Sequence, residues 1–116
     1  MPDGLLEIGT SAFGTSPITE LNIPSSVSRI GASAFANTKL TSITLPEQID
    51  SLQNGMFNRC ASLVSFTCPK KLVYIGDKVF THCKQLEQVT LNEGLKYIGN
   101  SFTGCSTLKK SSFPTV

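Results

Sequence analysis

Four cysteines and one histidine carry most of the nucleophilic and metal-ligating chemistry in this chain of 116 residues. A zinc site needs about four converging thiolate or imidazole ligands, usually in close pairs. The nearest approach is His82-Cys83, with no C-x-x-C or H-x-x-x-H partner, so no metal or cofactor is expected. A Cys–His nucleophile also needs a third group to orient its base, and this pair offers none; His82 reads as an exposed turn residue. The glycines recur singly instead of gathering into a phosphate-cradling G-x-G-x-x-G loop. The chain is therefore not expected to be an enzyme. Cys60, Cys83 and Cys105 each follow a phenylalanine by the interval that separates Ser16 and Thr38 from earlier phenylalanines. That position wants a small side chain with a weakly polar head, which packing alone explains. Parallel coils lie about 4.8 Å apart, inside the Cα window of a disulfide, which leaves a bridge such as Cys60–Cys83 open.

The shared phase of these residues comes from an internal repeat, and a fixed period of this length decides the architecture before any local element does. Phenylalanine recurs at Phe13, Phe35, Phe57, Phe80 and Phe102, and an apolar residue followed by proline recurs at Ile23-Pro24, Leu45-Pro46, Cys68-Pro69 and Phe113-Pro114, with Leu91-Asn92 as a variant. Before each proline the sequence alternates, as in Ser42-Ile43-Thr44-Leu45, the pattern of a half-buried strand. Five strands are expected, at 18–23, 40–45, 63–68, 86–91 and 108–113. The connections between them are too long for hairpins, which favours parallel pairing of successive coils. Proline lacks an N–H for the ladder and fixes its own φ, so it ends each strand. Beyond the turn, Val27, Ile49, Leu72 and Leu95, with Ile30, Leu52, Ile75 and Ile98, should close the far wall, and the phenylalanines should stack as a spine between coils. Gly9, Gly31, Gly76 and Gly99 follow the wall residue where a left-handed or crowded backbone would exclude a side chain; Gln53 departs from this.

Composition bounds the functional classes. Hydrophobic residues are 40% and charged residues 16% of the chain, a folded rather than disordered composition. The formal net charge of +2 gives no concentrated basic footprint for nucleic acid. No apolar run is long enough to span a bilayer, and the first residues lack signal-peptide features. Charge is unevenly divided. Residues 1–58 carry two basic and five acidic side chains, and residues 59–116 eight basic and three acidic, which makes head-to-tail self-association conceivable.

The candidate site is the outward strand face, because solenoids present long surfaces made of successive strands. Two rows define it: Glu20, Ser42, Ser65, Gln88, Lys110 and Asn22, Thr44, Thr67, Thr90, Ser112. Thr19, Thr41, Val64, Glu87 and Lys109 lie beside them. The rows hold no Trp, Tyr or Arg, the residue types that most often anchor interfaces, and no aromatic platform for sugars or single-stranded nucleic acid. Short polar β-formers also suit a merely solvated sheet. Binding module and structural spacer are thus the two readings.

The stretch Ile23-Pro24-Ser25-Ser26-Val27-Ser28-Arg29-Ile30-Gly31-Ala32-Ser33-Ala34-Phe35 resembles the unit of the BspA-like leucine-rich repeats, and the resemblance runs over nearly the whole chain. It implies an α/β solenoid, a right-handed superhelix with a parallel β-sheet on one side and short turns or helical turns on the other. Residues 1–116 would form a single domain of about five units of 22–23 residues, a segment of a longer array. The resemblance further implies a protein-binding, adhesin-like role toward a host or matrix protein, at the cell surface or secreted. The departures are Gln53, Gly55-Met56, Asn92 and a shortened stretch from Ile98 to Phe102.

Overall fold

A computed structural model describes residues 3–112, with side chains described through Lys109. The strands are β1 (Glu7–Ile8), β2 (Arg29–Ile30), β3 (Ser51–Leu52), β4 (Ser65–Thr67), β5 (Tyr74–Ile75), β6 (Gln88–Thr90), β7 (Tyr97–Ile98) and β8 (Lys110–Ser112). All pairings among them are parallel. Strands β4, β6 and β8 form one sheet, β3, β5 and β7 a second, and β1 and β2 a third. Among the described residues there is no helix. The side away from β4–β6–β8 consists of turns and two-residue strands, where helical turns were one of the expected forms. Phe113-Pro114 lies outside the described residues.

Two expectations about strands are corrected. The segments 18–23 and 40–45 are not strands of a ladder. Their coils are joined at the start of the segment, where Lys39 donates to Ile18 (3.1 Å) and Thr41 to Thr19 (3.4 Å), and make no further backbone bonds there. Conversely, the buried wall residues Ile30, Leu52 and Ile75 do more than close the coil, since each ends a short strand of its own; Ile98 also ends a strand but is 40% exposed and does not close its coil as expected.

The phenylalanine spine forms as expected. Successive rings from Phe13 to Phe102 stack at 5.6 to 5.8 Å with interplanar angles of 10° to 16°. Phe66 of β4 reaches across the core and meets Phe57 and Phe80 at 5.3 and 5.4 Å, tilted to both. Burial is complete for Phe35, Phe57 and Phe80 and partial for Phe13 and Phe102, at the two ends of the column.

Beside each ring the backbone forms a third ladder. Ser11, Phe13 and Thr15 donate to Ala32, Ala34 and Ala36, and the same triplet recurs down to Lys78, Phe80 and His82, which donate to Asn100, Ser101 and Thr103. The donors flanking the ring take left-handed φ at Ser11, Thr15, Ser33, Asn37, Gly55, Arg59, Lys78 and His82. Left-handed φ is uncommon outside glycine, yet seven of these eight are other residues. It recurs coil after coil at the same phase because it aims every donor at the next coil.

Crowding, not positive φ, explains the glycine after the wall residue at Gly31, Gly76 and Gly99, whereas at Gly9 an added Cβ would meet nothing. A Cβ on Gly31 would lie 2.6 Å from the backbone nitrogen of Thr10, and one on Gly99 would lie 2.6 Å from the carbonyl oxygen of Gly76. Each of these glycines donates to the preceding coil: Gly31 to Ile8 (2.8 Å), Gly76 to Leu52 (2.9 Å) and Gly99 to Ile75 (2.8 Å). Gln53 carries the Cβ that the close approach forbids. Accordingly β2 and β3 do not pair with each other, and a cleft of ≈ 250 Å³ lies between Arg29-Ile30 and Asp50-Ser51-Gln53.

Candidate functional site

Outward projection of the expected rows follows from period-two alternation. In β4 the order is exposed Ser65, buried Phe66, exposed Thr67, and Gln88-Val89-Thr90 of β6 repeats it with Thr90 half-buried. Register joins Ser65 to Gln88 to Lys110 and Thr67 to Thr90 to Ser112. The structure therefore aligns both rows through the last three coils; the side chains of Lys110 and Ser112 lie outside the described residues. Glu20, Asn22, Ser42 and Thr44 are also exposed, but on segments that no ladder connects to β4.

Two clefts result on this face. One, of ≈ 440 Å³, is lined by Glu20 to Ile23, Ser25 and Ser42 to Glu47. The other, of ≈ 310 Å³, lies between Ser42–Leu45 and Ser65–Lys70. The ionisable residues lining the first are Glu20 and Glu47, and Glu47 borders the second as well. In the second, Glu47 pairs with Lys70 at 3.6 Å, both well exposed, an arrangement that contributes little to stability. Glu87 and Lys109 pair similarly at 3.8 Å beside the ladder.

The turns after the strand segments are held by side chains. Gln48 Nε2 donates to the carbonyls of Ser25 and, at 2.7 Å, of Val27. Asn92 Nδ2 donates to Lys70 (3.3 Å) and Leu72 (2.6 Å). Asn92, where other coils have proline, thus makes two inter-coil bonds that proline could not. In the shortened coil, Ser101 Oγ donates to Gly76 (2.6 Å) and accepts from Val79 N–H (3.1 Å), replacing backbone contacts that the missing residue would supply.

All four cysteines are free. The thiols of Cys60, Cys83 and Cys105 donate to the carbonyls of Phe35, Phe57 and Phe80 at 3.1, 3.1 and 2.9 Å. Thr38, at the same phase, donates instead to the carbonyl of Phe35 in its own coil at 2.9 Å. Burial pushes the Cys68 thiol up to about 12 and raises Cys83 further, so these remain thiols and packing groups. His82 is half-buried, not exposed; its φ is 60°, and Gly104 lies close enough to its ring that a Cβ there would meet Nδ1 at 2.5 Å. Among the described residues no group of His, Cys, Asp or Glu could hold a metal ion.

One exposed feature was missed in the sequence. Tyr74 and Tyr97 are paired in register on β5 and β7, stack at 4.9 Å and 9°, and are 38% and 49% exposed. Their signal was available, because each stands directly before a wall isoleucine, an outward position once that segment is read as a strand.

Parallel coils with an internal aromatic spine and an aligned polar face define a leucine-rich-repeat solenoid. The chain belongs to the BspA type leucine-rich repeat family, whose profile matches residues 3–116 in six copies. It is similar to a leucine rich cell surface protein of Faecalibacterium prausnitzii A2-165, at 30% identity and a TM-score of 0.95 over 100% of this chain and 31% of that one. It thus spans about a third of that protein's solved chain. A leucine-rich repeat protein of T. pallidum shares the fold at 21% identity and a TM-score of 0.65, over 94% of this chain and 66% of that one. So does one from Bacteroides ovatus ATCC 8483, at 22% identity and 0.55, over 100% and 49%. No curated protein matches significantly. Among the described residues no helix is long and apolar enough to cross a membrane.

Proposed function

We infer that this chain is a protein-interaction module of a cell-surface repeat protein, and that it engages its partner through the outward strand rows. The observation that carries the reading is the register of those rows, which sets Ser65, Thr67, Gln88 and Thr90 into aligned polar columns. The family and the solved Faecalibacterium surface protein support display outside the cell, on a longer array in which residues 1–116 form one repeat domain. An adhesin toward a host or matrix protein is the finer form of the same reading, and no reaction is assigned to it.

The test is capture of partners from a matrix extract, analysed by mass spectrometry, by this chain and by a folded Thr44→Arg, Thr67→Arg double variant. A protein held by the parent and lost by the variant supports the reading. Equal retention by both moves the site off the strand rows, and retention of nothing favours a structural spacer. Sedimentation at several concentrations reads head-to-tail self-association separately.

A further inference from the structure

Outward side chains of the second sheet form a column in which one coil carries no ring. Register carries the column from Ser51 to Tyr74 to Tyr97, and Arg29 stands at the same phase one coil before Ser51. The tyrosine rings stack at 4.9 Å and 9°, close to the spacing of neighbouring strands, so their faces look along the stack of coils. Tyr97 covers one face of Tyr74. The other is turned toward the coil of Ser51, whose short side chain cannot cover it, and Tyr74 stays 38% exposed. From the Tyr74 row to the Arg29 row is on the order of 10 Å, two strand spacings, which leaves above Ser51 a slot one ring thick. A ligand there lies among the outward side chains and does not part the coils.

Beside this slot the surface is polar. Ser28, Arg29, Asp50, Ser51 and Gln53 line the adjoining cleft of ≈ 250 Å³. Its ionisable members are Arg29 and Asp50, one of each sign, and neither belongs to the two ion pairs among the described residues. Gln53 Nε2 donates to Ser51 Oγ at 3.0 Å, which leaves Oε1 as an acceptor. Carboxylate, guanidinium and amide offer planar sets of donors and acceptors, the groups that bond neighbouring hydroxyls in pairs, while an aromatic face takes the C–H face of a sugar ring. A polar, charge-balanced floor next to an aromatic wall suits a neutral, hydroxyl-rich ring better than an ion or an apolar side chain. The sugar platform that the strand rows lack is present on the second sheet.

We propose that the slot over Ser51 binds a neutral pyranose unit of a polysaccharide, its C–H face stacked on Tyr74 and its hydroxyls bonded by Arg29, Asp50 and Gln53. A few placed polar groups around an aromatic surface are the usual make-up of a small-ligand site. This site is separate from the strand rows and goes beyond the protein-interaction reading, which it neither needs nor replaces.

Tyr74 and Tyr97 are the only tyrosines of a chain without tryptophan, so tyrosine emission reports on this site alone. The experiment titrates the intact chain with cellohexaose, xylohexaose, mannohexaose and maltohexaose, following tyrosine emission and the heat of binding. A saturable response to at least one of them is expected. Ser51→Tyr fills the slot with a third ring, at a position where the next two coils already carry tyrosine, and should weaken binding about fivefold to a hundredfold, the loss of a stacking platform. Asp50→Ala should weaken it about twofold to tenfold, the loss of one hydrogen bond. Melting curves check that each variant folds, and Thr44→Arg, Thr67→Arg should bind the sugar as the parent does. No saturable response to any of the four sugars, or an undiminished one in Ser51→Tyr, overturns the proposal. So does a phenylalanine-containing hexapeptide that binds the parent and is lost on Ser51→Tyr while no sugar binds, because the slot then takes an aromatic side chain of a protein. If the sugar is lost on Thr44→Arg, Thr67→Arg but not on Ser51→Tyr, recognition belongs to the strand rows and the slot falls.

Discussion

The phenylalanine wall and the strand face join the same coils in different ways. Along the wall, each junction from the Phe13 coil to the Phe102 coil carries three backbone bonds and a stacked ring pair. Along the strand face, the junctions around Ser42–Leu45 carry backbone bonds only at their start, with Gln48 bonding one of them beyond the turn, whereas β4, β6 and β8 are laddered. Cohesion of the stack therefore resides in the wall. Because each repeat contacts only its neighbours, the outward side chains of the strand face can differ from coil to coil while the wall keeps the coils together.

The most direct way to break the comparison is to cut the wall. Phe57 is fully buried, sandwiched between Phe35 and Phe80, and touched by Phe66. Phe57→Ala should cost about 3 to 5 kcal/mol by urea denaturation. Thr44→Arg on the open face should cost less than about 0.5 kcal/mol, the usual range for surface changes. Comparable losses from the two would show that the strand face is as cohesive as the wall.

The next effects, each about 1 to 3 kcal/mol, come from single close contacts. Gly31→Ala pushes a Cβ onto backbone atoms of Gly9 and Thr10 at 2.6 to 2.9 Å, which cannot rotate away; overpacking of this kind costs about 1 to 3 kcal/mol. Ser101→Ala strands Val79 N–H and the Gly76 carbonyl, a loss of about 1 to 3 kcal/mol, seen as a lower melting temperature and faster exchange of the Val79 amide.

Alkaline pH probes the strand face through Cys68. Its folded pKa is raised from 9.0 to about 12 by burial, so the folded state holds the proton more tightly than the unfolded one. The stability this contributes is complete below pH about 9 and is lost as pH rises toward about 12. Cys68→Val, of similar volume, should therefore shift the alkaline unfolding midpoint upward; an unchanged midpoint would mean that Cys68 ionisation does not drive the transition.

How much of this was legible follows from which residues repeat. The spine, the inward Phe66 and Val89, and the aligned polar rows follow from fixed spacing and period-two alternation, so the sequence carries them openly. The left-handed donors do not share a residue type: Ser33, Gly55 and Lys78 occupy one position, so composition hides a backbone ladder that geometry makes plain. The second sheet was missed because two-residue strands show no alternation to read. The missing ladder at Ser42–Leu45 has no sequence signature either, since Ile43 and Leu45 alternate as well as Phe66 and Cys68 do.

The smallest expected effect sharpens the comparison most. Gln53 is the one wall position where a side chain replaces glycine between two coils, and it coincides with the break between β2 and β3. Gln53→Gly removes the Cβ and permits the N–H of residue 53 to donate to Ile30, as Gly31 does to Ile8 and Gly76 to Leu52. The new bond is worth about 1 kcal/mol. Against it stand the lost contact of Gln53 Nε2 with Ser51 Oγ (3.0 Å) and the chain entropy of glycine, about 0.5 to 1 kcal/mol. Stability should thus move by less than about 1 kcal/mol, while the amide at position 53 exchanges markedly more slowly. An unchanged exchange rate would place the cause of the gap outside Gln53, and the crowding account of the recurrent glycines would then fail at the position that tests it best.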